Sequence, residues 1–169
     1  MNSYRAYSQQ GFSLAEVSVT VLIVGVLAAI AAPTIRFGIN PLKDTTTRIE
    51  SNLKLLRSKA ISQTSAYRIR ATPSGSDVAL TVERATFCTD TAWSGDPSFA
   101  PEDLKLDRGV QITQVTDSTD NTVTANNWSI CYNGRGLANK NLVVTLRDAK
   151  SGQRLEVFPG GAVDVKAIP

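Results

Sequence analysis

The sequence predicts an α+β fold: a long, kinked N-terminal helix, half membrane-spanning and half amphipathic, packed on a C-terminal antiparallel β-sheet domain. Three observations predict it. Between Phe12 and Ala32, 16 of 21 residues are apolar. From Leu42 to Ala60 the apolar residues recur at helical spacing, and after Gln63 the period shifts toward two, with β-branched residues between turn signals. The chain is 169 residues long with 42% apolar and 20% charged residues and a mean hydropathy of −0.08, enough for one ordinary globular domain. That average hides one very apolar segment.

Composition excludes several function classes. Histidine is absent, which removes imidazole-based triads and most zinc sites. The two cysteines, Cys88 and Cys131, cannot build a four-thiolate metal site and lack CxxC spacing. A net charge of +3, from 18 basic and 15 acidic residues, is too balanced to be the electrostatic footprint of a nucleic-acid binder by itself. Nothing in the chain calls for a catalytic residue, a cofactor or a metal.

The segment Met1 to Gln10 is polar and ends at Gly11, directly before the apolar run. Twenty-one helical residues at 1.5 Å each span about 31 Å, the thickness of a bilayer's hydrocarbon core. Helix is the one single-segment structure that satisfies every backbone group in lipid, so the Val and Ile content does not argue for strand. An ordinary secretory signal, cut near Ala29 to Ala32, is the plain alternative. Against it stands Glu16, a carboxylate inside the apolar run, which costs about 2.5–3.5 kcal/mol near a helix centre on insertion scales. A carboxylate kept ionised among apolar helices needs a cation at the same depth. The alternative is a carboxylate that snorkels to the interface without a partner.

Pro33 and Pro41 each remove a backbone N–H, so the helix is expected to kink or melt between Ala32 and Pro41 and then resume. Leu42, Ile49, Leu53, Leu56 and Ala60 form one buried stripe, and Arg48, Lys54, Arg57 and Lys59 lie on the other face. A solvated face explains such cations more often than a phosphate-binding patch does. Strands are expected at Tyr67 to Arg70, Val78 to Phe87, Val110 to Thr116, Trp128 to Tyr132, Leu142 to Leu146, Arg154 to Phe158 and Ala162 to Ile168. Turn clusters separate them, and Asp90 to Asp103 reads as an irregular loop. Trp93, Trp128 and Tyr132 read as core or rim packing. Asp117, Asp120 and Asn121, or Asp96 with Glu102 and Asp103, lack calcium-loop spacing and read as turn chemistry.

Gly11-Phe12-Ser13-Leu14-Ala15-Glu16 and the apolar run after it resemble the class III signal of type IV prepilins and type II secretion pseudopilins. The resemblance implies cleavage after Gly11 by prepilin peptidase, N-methylation of Phe12, pairing of Glu16 during assembly, and helix breaks at Pro33 and Gly38. Leu55-Leu56-Arg57-Ser58-Lys59-Ala60-Ile61 and the C-terminal pattern Ile130 to Gly136, Leu142 to Leu146, Arg154 to Val157 and Gly161 to Val163 resemble the globular domain of GspH/FimT-type minor pseudopilins and minor pilins. That resemblance implies a non-enzymatic subunit of a type IV pilus or type II secretion pseudopilus. Its partners would be other pilin or pseudopilin subunits, prepilin peptidase and the inner membrane, with the C-terminal domain periplasmic or extracellular and later part of a filament. Some FimT-like proteins bind DNA through a basic turn near the C-terminus. Here the turn reads Gly161-Ala162-Val163-Asp164, so DNA in natural transformation is the alternative partner and not the favoured one.

The organisation expected is a leader at 1–11, a membrane and filament-core helix at 12–32, an amphipathic continuation at 33–66 and a β-rich domain at 67–169. Removing the leader takes Arg5 with it, leaving 169 − 11 = 158 residues and a side-chain charge of +2. Beyond the membrane helix the chain lies outside the cytoplasm, where Cys88 and Cys131 can pair. The disulfide is the favoured reading, and two buried free thiols are the alternative.

Overall fold

The computed structural model describes residues 13–31, 40–75, 77–117 and 122–169. They fall into two units, divided after residue 39. The described residues of the first unit form one helix, α1 (Leu14–Ala31). Its apolar residues are distributed around the whole circumference, and the described side chains from Ser13 to Gly25 are exposed. At 1.5 Å per residue its 18 residues extend about 27 Å. Among the described residues no helix is long and apolar enough to cross a membrane. The expected breaks at Pro33 and Gly38 lie outside the described residues.

The second unit begins with α2 (Pro41–Gln63). Pro41 occupies the first turn, where its missing N–H costs nothing, and the Asn40 side chain caps the helix by accepting from the Lys43 N–H at 3.0 Å. The helix ends at Thr64, which adopts a left-handed φ of 50° and donates its N–H back to the last turn. Leu42, Ile49, Leu53, Leu56 and Ala60, the expected stripe, are all buried.

Among the described residues nine strands follow: β1 (Ala66–Ser74), β2 (Asp77–Ala85), β3 (Ser94–Gly95), β4 (Gln111–Asp117), β5 (Thr122–Val123), β6 (Trp128–Tyr132), β7 (Leu142–Arg147), β8 (Gly152–Val157) and β9 (Val163–Ile168). The seven expected strands are present, with ends moved by a few residues. The loop expected from Asp90 to Asp103 also contains β3 and a 3-10 turn at Pro101–Leu104. These two pieces and β5 are too short to leave a periodic trace in sequence.

As expected the domain is antiparallel; among the described residues it comprises two sheets, ordered β3-β2-β1-β6 and β5-β4-β7-β8-β9. The division arises because β6 pairs with β1 rather than with its chain neighbour β7. On β4 the buried residues Ile112 and Val115 stand three apart, because the register slips between Ile112 and Gln114. Such a bulge inserts one residue and restores the inward side one position late. The core lies under α2. Ile49 and Leu53 meet Ile69 and Ile130 from one sheet and Leu142, Val144, Leu146, Leu155 and Val157 from the other.

Candidate assembly site

The N-terminal end of α1 closes on itself. Ser13 Oγ accepts from the Glu16 N–H at 3.3 Å, and Glu16 Oε2 accepts from the Ser13 N–H at 3.0 Å. This reciprocal pair is a capping box, and its carboxylate lies at the positive end of the helix dipole. Farther along, the Ser18 and Thr20 hydroxyls donate to the carbonyls of Leu14 and Glu16, at 2.8 and 2.7 Å. Both polar side chains thus satisfy their donors on the helix's own backbone. Glu16 remains the single charge on the described helix. Gly11 and Phe12 lie outside the described residues.

In the second unit, the polar face of α2 departs from the solvated face expected. Arg48 donates to the Lys105 carbonyl at 2.7 Å and pairs with Asp107 at 3.1 Å. Thr45 donates to Asp107 at 2.8 Å, and Asn52 donates to the Asp103 carbonyl at 3.1 Å, so three residues of α2 hold the segment 103–107. Lys59 pairs with Asp96 at 3.3 Å, donates to Ser98 Oγ, and stands 4.7 Å from the centre of the Phe99 ring. Lys54 alone among the four cations behaves as expected, pairing with Glu50 on the exposed side. The reason is positional: long loops fold back over α2, and their carbonyls and carboxylates need donors.

Arg57 fixes two more turns. Its Nε donates to the Gly136 carbonyl at 3.1 Å and its Nη2 to the Gly160 carbonyl at 3.2 Å. These turns touch one another so closely that a Cβ at Gly161 would stand 2.0 Å from the Gly136 oxygen. A Cβ at Gly134 would meet the Thr64 carbonyl carbon at 2.9 Å. The turn at Gly161, which stands where some FimT-like proteins carry a basic DNA-binding turn, is therefore spent on packing. Asp164, which follows it, pairs with Lys166 at 3.1 Å, and the DNA-binding alternative gains no support.

Cys88 and Cys131 form a disulfide with Cα atoms 5.9 Å apart. Cys88 sits in the turn after β2, and the bond ties that turn to β6. Trp128 and Tyr132 are buried, as expected of packing residues, whereas Trp93 is half-buried with the Arg68 guanidinium 3.9 Å above its ring. Tyr132 is fully buried and its hydroxyl has no hydrogen-bond partner among the described residues. Burial pushes that hydroxyl's pKa up, against the opposing field of Arg57.

The acidic residues considered for calcium do separate work. Burial pushes the Asp96 carboxyl up, but the Ser98 hydroxyl and N–H together with Lys59 outweigh it and hold the pKa down to about 2. Glu102 faces Lys105 at 3.9 Å, and Asp103 contributes its backbone carbonyl to Asn52. Asp107 is held below the usual range chiefly by the Thr45 hydroxyl, with burial opposing and Arg48 assisting. Asp120 and Asn121 lie outside the described residues. Sequence reasoning missed the clamp made by Arg57 and the glycines. The two glycine pairs, Gly134 with Gly136 and Gly160 with Gly161, were its available signal.

Two family models match the chain: type II transport protein GspH over residues 45–161, and the prokaryotic N-terminal methylation motif over residues 7–32. Among solved structures, the chain is similar to the minor pseudopilin EpsH from the type 2 secretion system of Vibrio cholerae. That likeness has 13% identity and a TM-score of 0.53, and covers 76% of this chain and 98% of that one. It shows a shared fold. Two crystal forms of the Pseudomonas aeruginosa type IV minor pilin FimU also match, with TM-scores of 0.45 and 0.48 and identities of 14% and 12%. They cover 75% of this chain, and 92% and 97% of theirs. No curated protein sequence matches.

Proposed function

This chain belongs to the GspH family of type II transport proteins, and we propose from that premise that it is a non-enzymatic structural subunit, a minor pilin or pseudopilin. In this reading residues 1–11 are a leader that prepilin peptidase removes after Gly11, and Phe12 is then N-methylated. Residues 12–32 anchor the precursor in the inner membrane and later pack among the corresponding helices of other subunits. Residues 33–66 carry the helix on, with breaks at Pro33 and Gly38, to a β-rich domain at 67–169 outside the cytoplasm.

The observation that carries this reading is α1 itself. A helix apolar on every side, with its hydroxyls returned to its own backbone, suits lipid or a bundle of like helices rather than one flank of a globular core. Its one carboxylate then needs a purpose. The capping box uses one oxygen of Glu16 for the Ser13 N–H, and an ionised carboxylate has further acceptor sites. Those sites take the α-amine of Phe12 from the adjacent subunit, setting the axial register of assembly.

Two substitutions separate capping from charge pairing. Glu16→Gln keeps an acceptor able to close the box but loses the charge; Glu16→Ala loses both. Filament or pseudopilus assembly in a strain lacking the native subunit is expected to fail with either variant. Undiminished assembly with Glu16→Gln would contradict the pairing role.

A further inference from the structure

A cleft of about 540 Å³ opens on the outer face of β1 and β6, beneath the segment Asp90 to Trp93. Its walls are fixed. The disulfide ties the turn at Cys88 to β6, and Asp90 Oδ2 accepts from the N–H groups of Thr86 and Phe87. The Trp93 indole donates to the Asp90 carbonyl at 2.6 Å, and its ring lies against Arg68, which Glu83 holds at 2.5 Å. Trp128 turns its indole N–H to the Ala125 carbonyl.

These bonds occupy Asp90 Oδ2 and the Asp90 carbonyl and leave two cations of the lining open. Arg70 and Lys140 line the cleft, and among the described residues neither side chain has a hydrogen-bond or ion-pair partner. β6 is the edge strand there. The Cys131 N–H and carbonyl turn away from β1 and are both taken by Asn139, at 3.0 and 2.9 Å. Ser129, two residues earlier and directly across from Arg70, turns its backbone the same way. Farther along, that edge is covered where Tyr132 bridges Ala138, and at Ser129 no described residue pairs with it.

We infer that this cleft docks an extended acidic segment of another polypeptide, which adds to the edge of β6 at Ser129 and places its carboxylates on Arg70 and Lys140. Edge addition provides backbone hydrogen bonds, and alternate side chains of an extended segment fall on one face, about 7 Å apart, where two cations can receive them. A single nucleic-acid strand fits less well. Arg68 covers one face of Trp93 and Trp128 is buried, so little open ring remains for a base. The inference does not depend on cleavage at Gly11.

The test uses the full chain in non-ionic micelles at low salt and a labelled five-residue peptide with glutamates at its second and fourth positions. Saturable binding is expected, at least tenfold weaker for the peptide with glutamine at both positions. It is also expected to be at least tenfold weaker for the double variant Arg70→Gln with Lys140→Gln, and unchanged for Lys54→Gln. No saturable binding, or equal binding by the double variant, would overturn the inference. So would an oligothymidine bound more tightly than the peptide, which would assign the cleft to nucleic acid.

Discussion

Arg57 Nε donates to the Gly136 carbonyl at 3.1 Å, and that same carbonyl oxygen is the atom a side chain at Gly161 would strike. One arginine on α2 thus fastens two turns that are far from it in sequence, and glycine at 161 is what lets them meet. Gly161 also has a φ of +81°.

Gly161→Ala is therefore expected to lower stability by about 3–5 kcal/mol, combining a left-handed Cβ with a backbone clash. Gly75→Ala is the matched control. Gly75 has a φ of +62° with open space around it, so about 1 kcal/mol is expected. Urea unfolding of the full chain in micelles, followed by tryptophan fluorescence, compares the two. Equal losses would show that the contact with Gly136 contributes nothing.

Tyr132 gives the opposite sign. Its hydroxyl is buried without a partner among the described residues, so Tyr132→Phe removes an unmatched polar group at almost constant volume. Stability is expected to stay level or rise by about 1 kcal/mol in the same unfolding assay. A loss above 1 kcal/mol would mean that a water or another group satisfies the hydroxyl.

The disulfide closes a loop of 43 residues. In the chain-entropy account this stabilises the fold by about 3–4 kcal/mol, so Cys88→Ser with Cys131→Ser should lose that much. Mass analysis of the protein from its native envelope is expected to find no alkylatable thiol. Two alkylated cysteines would contradict the bond.

Acid exposes the Asp96 contact. Its folded pKa lies below the unfolded value of 3.8, so the stabilisation is present above pH 4 and fades as pH falls toward 2. The side chain is 9% exposed and its Lys59 partner 23%, which leaves about 1–2 kcal/mol after solvent screening. Asp96→Asn is expected to flatten the stability profile between pH 4 and pH 2 by that amount. An unchanged slope would assign the acid sensitivity to Asp107 instead.

Much of this was legible in the sequence because periodicity reports burial directly. Leu42, Ile49, Leu53, Leu56 and Ala60 all lie in the core, and the seven longer strands stand where alternation placed them. What escaped was set by partners distant in the chain. Nothing near Arg57 announces Gly136 or Gly160, and nothing in Trp128 to Tyr132 says that β6 pairs with β1. Short β3 and β5 lack a full period. The slip after Ile112 breaks alternation on β4. At Glu16 the sequence carried a capping box with Ser13, readable as S-x-x-E, that the argument for a partner amine passed over.

The account's central claim is a structural subunit cut after Gly11 and assembled through the helix that follows. Intact-mass analysis and N-terminal sequencing of the mature protein from its native envelope test it most directly. A 158-residue chain beginning at N-methylated Phe12 is the expected result. A chain beginning near Thr34, as after an ordinary secretory signal, or one still carrying Met1 to Gly11, would contradict it.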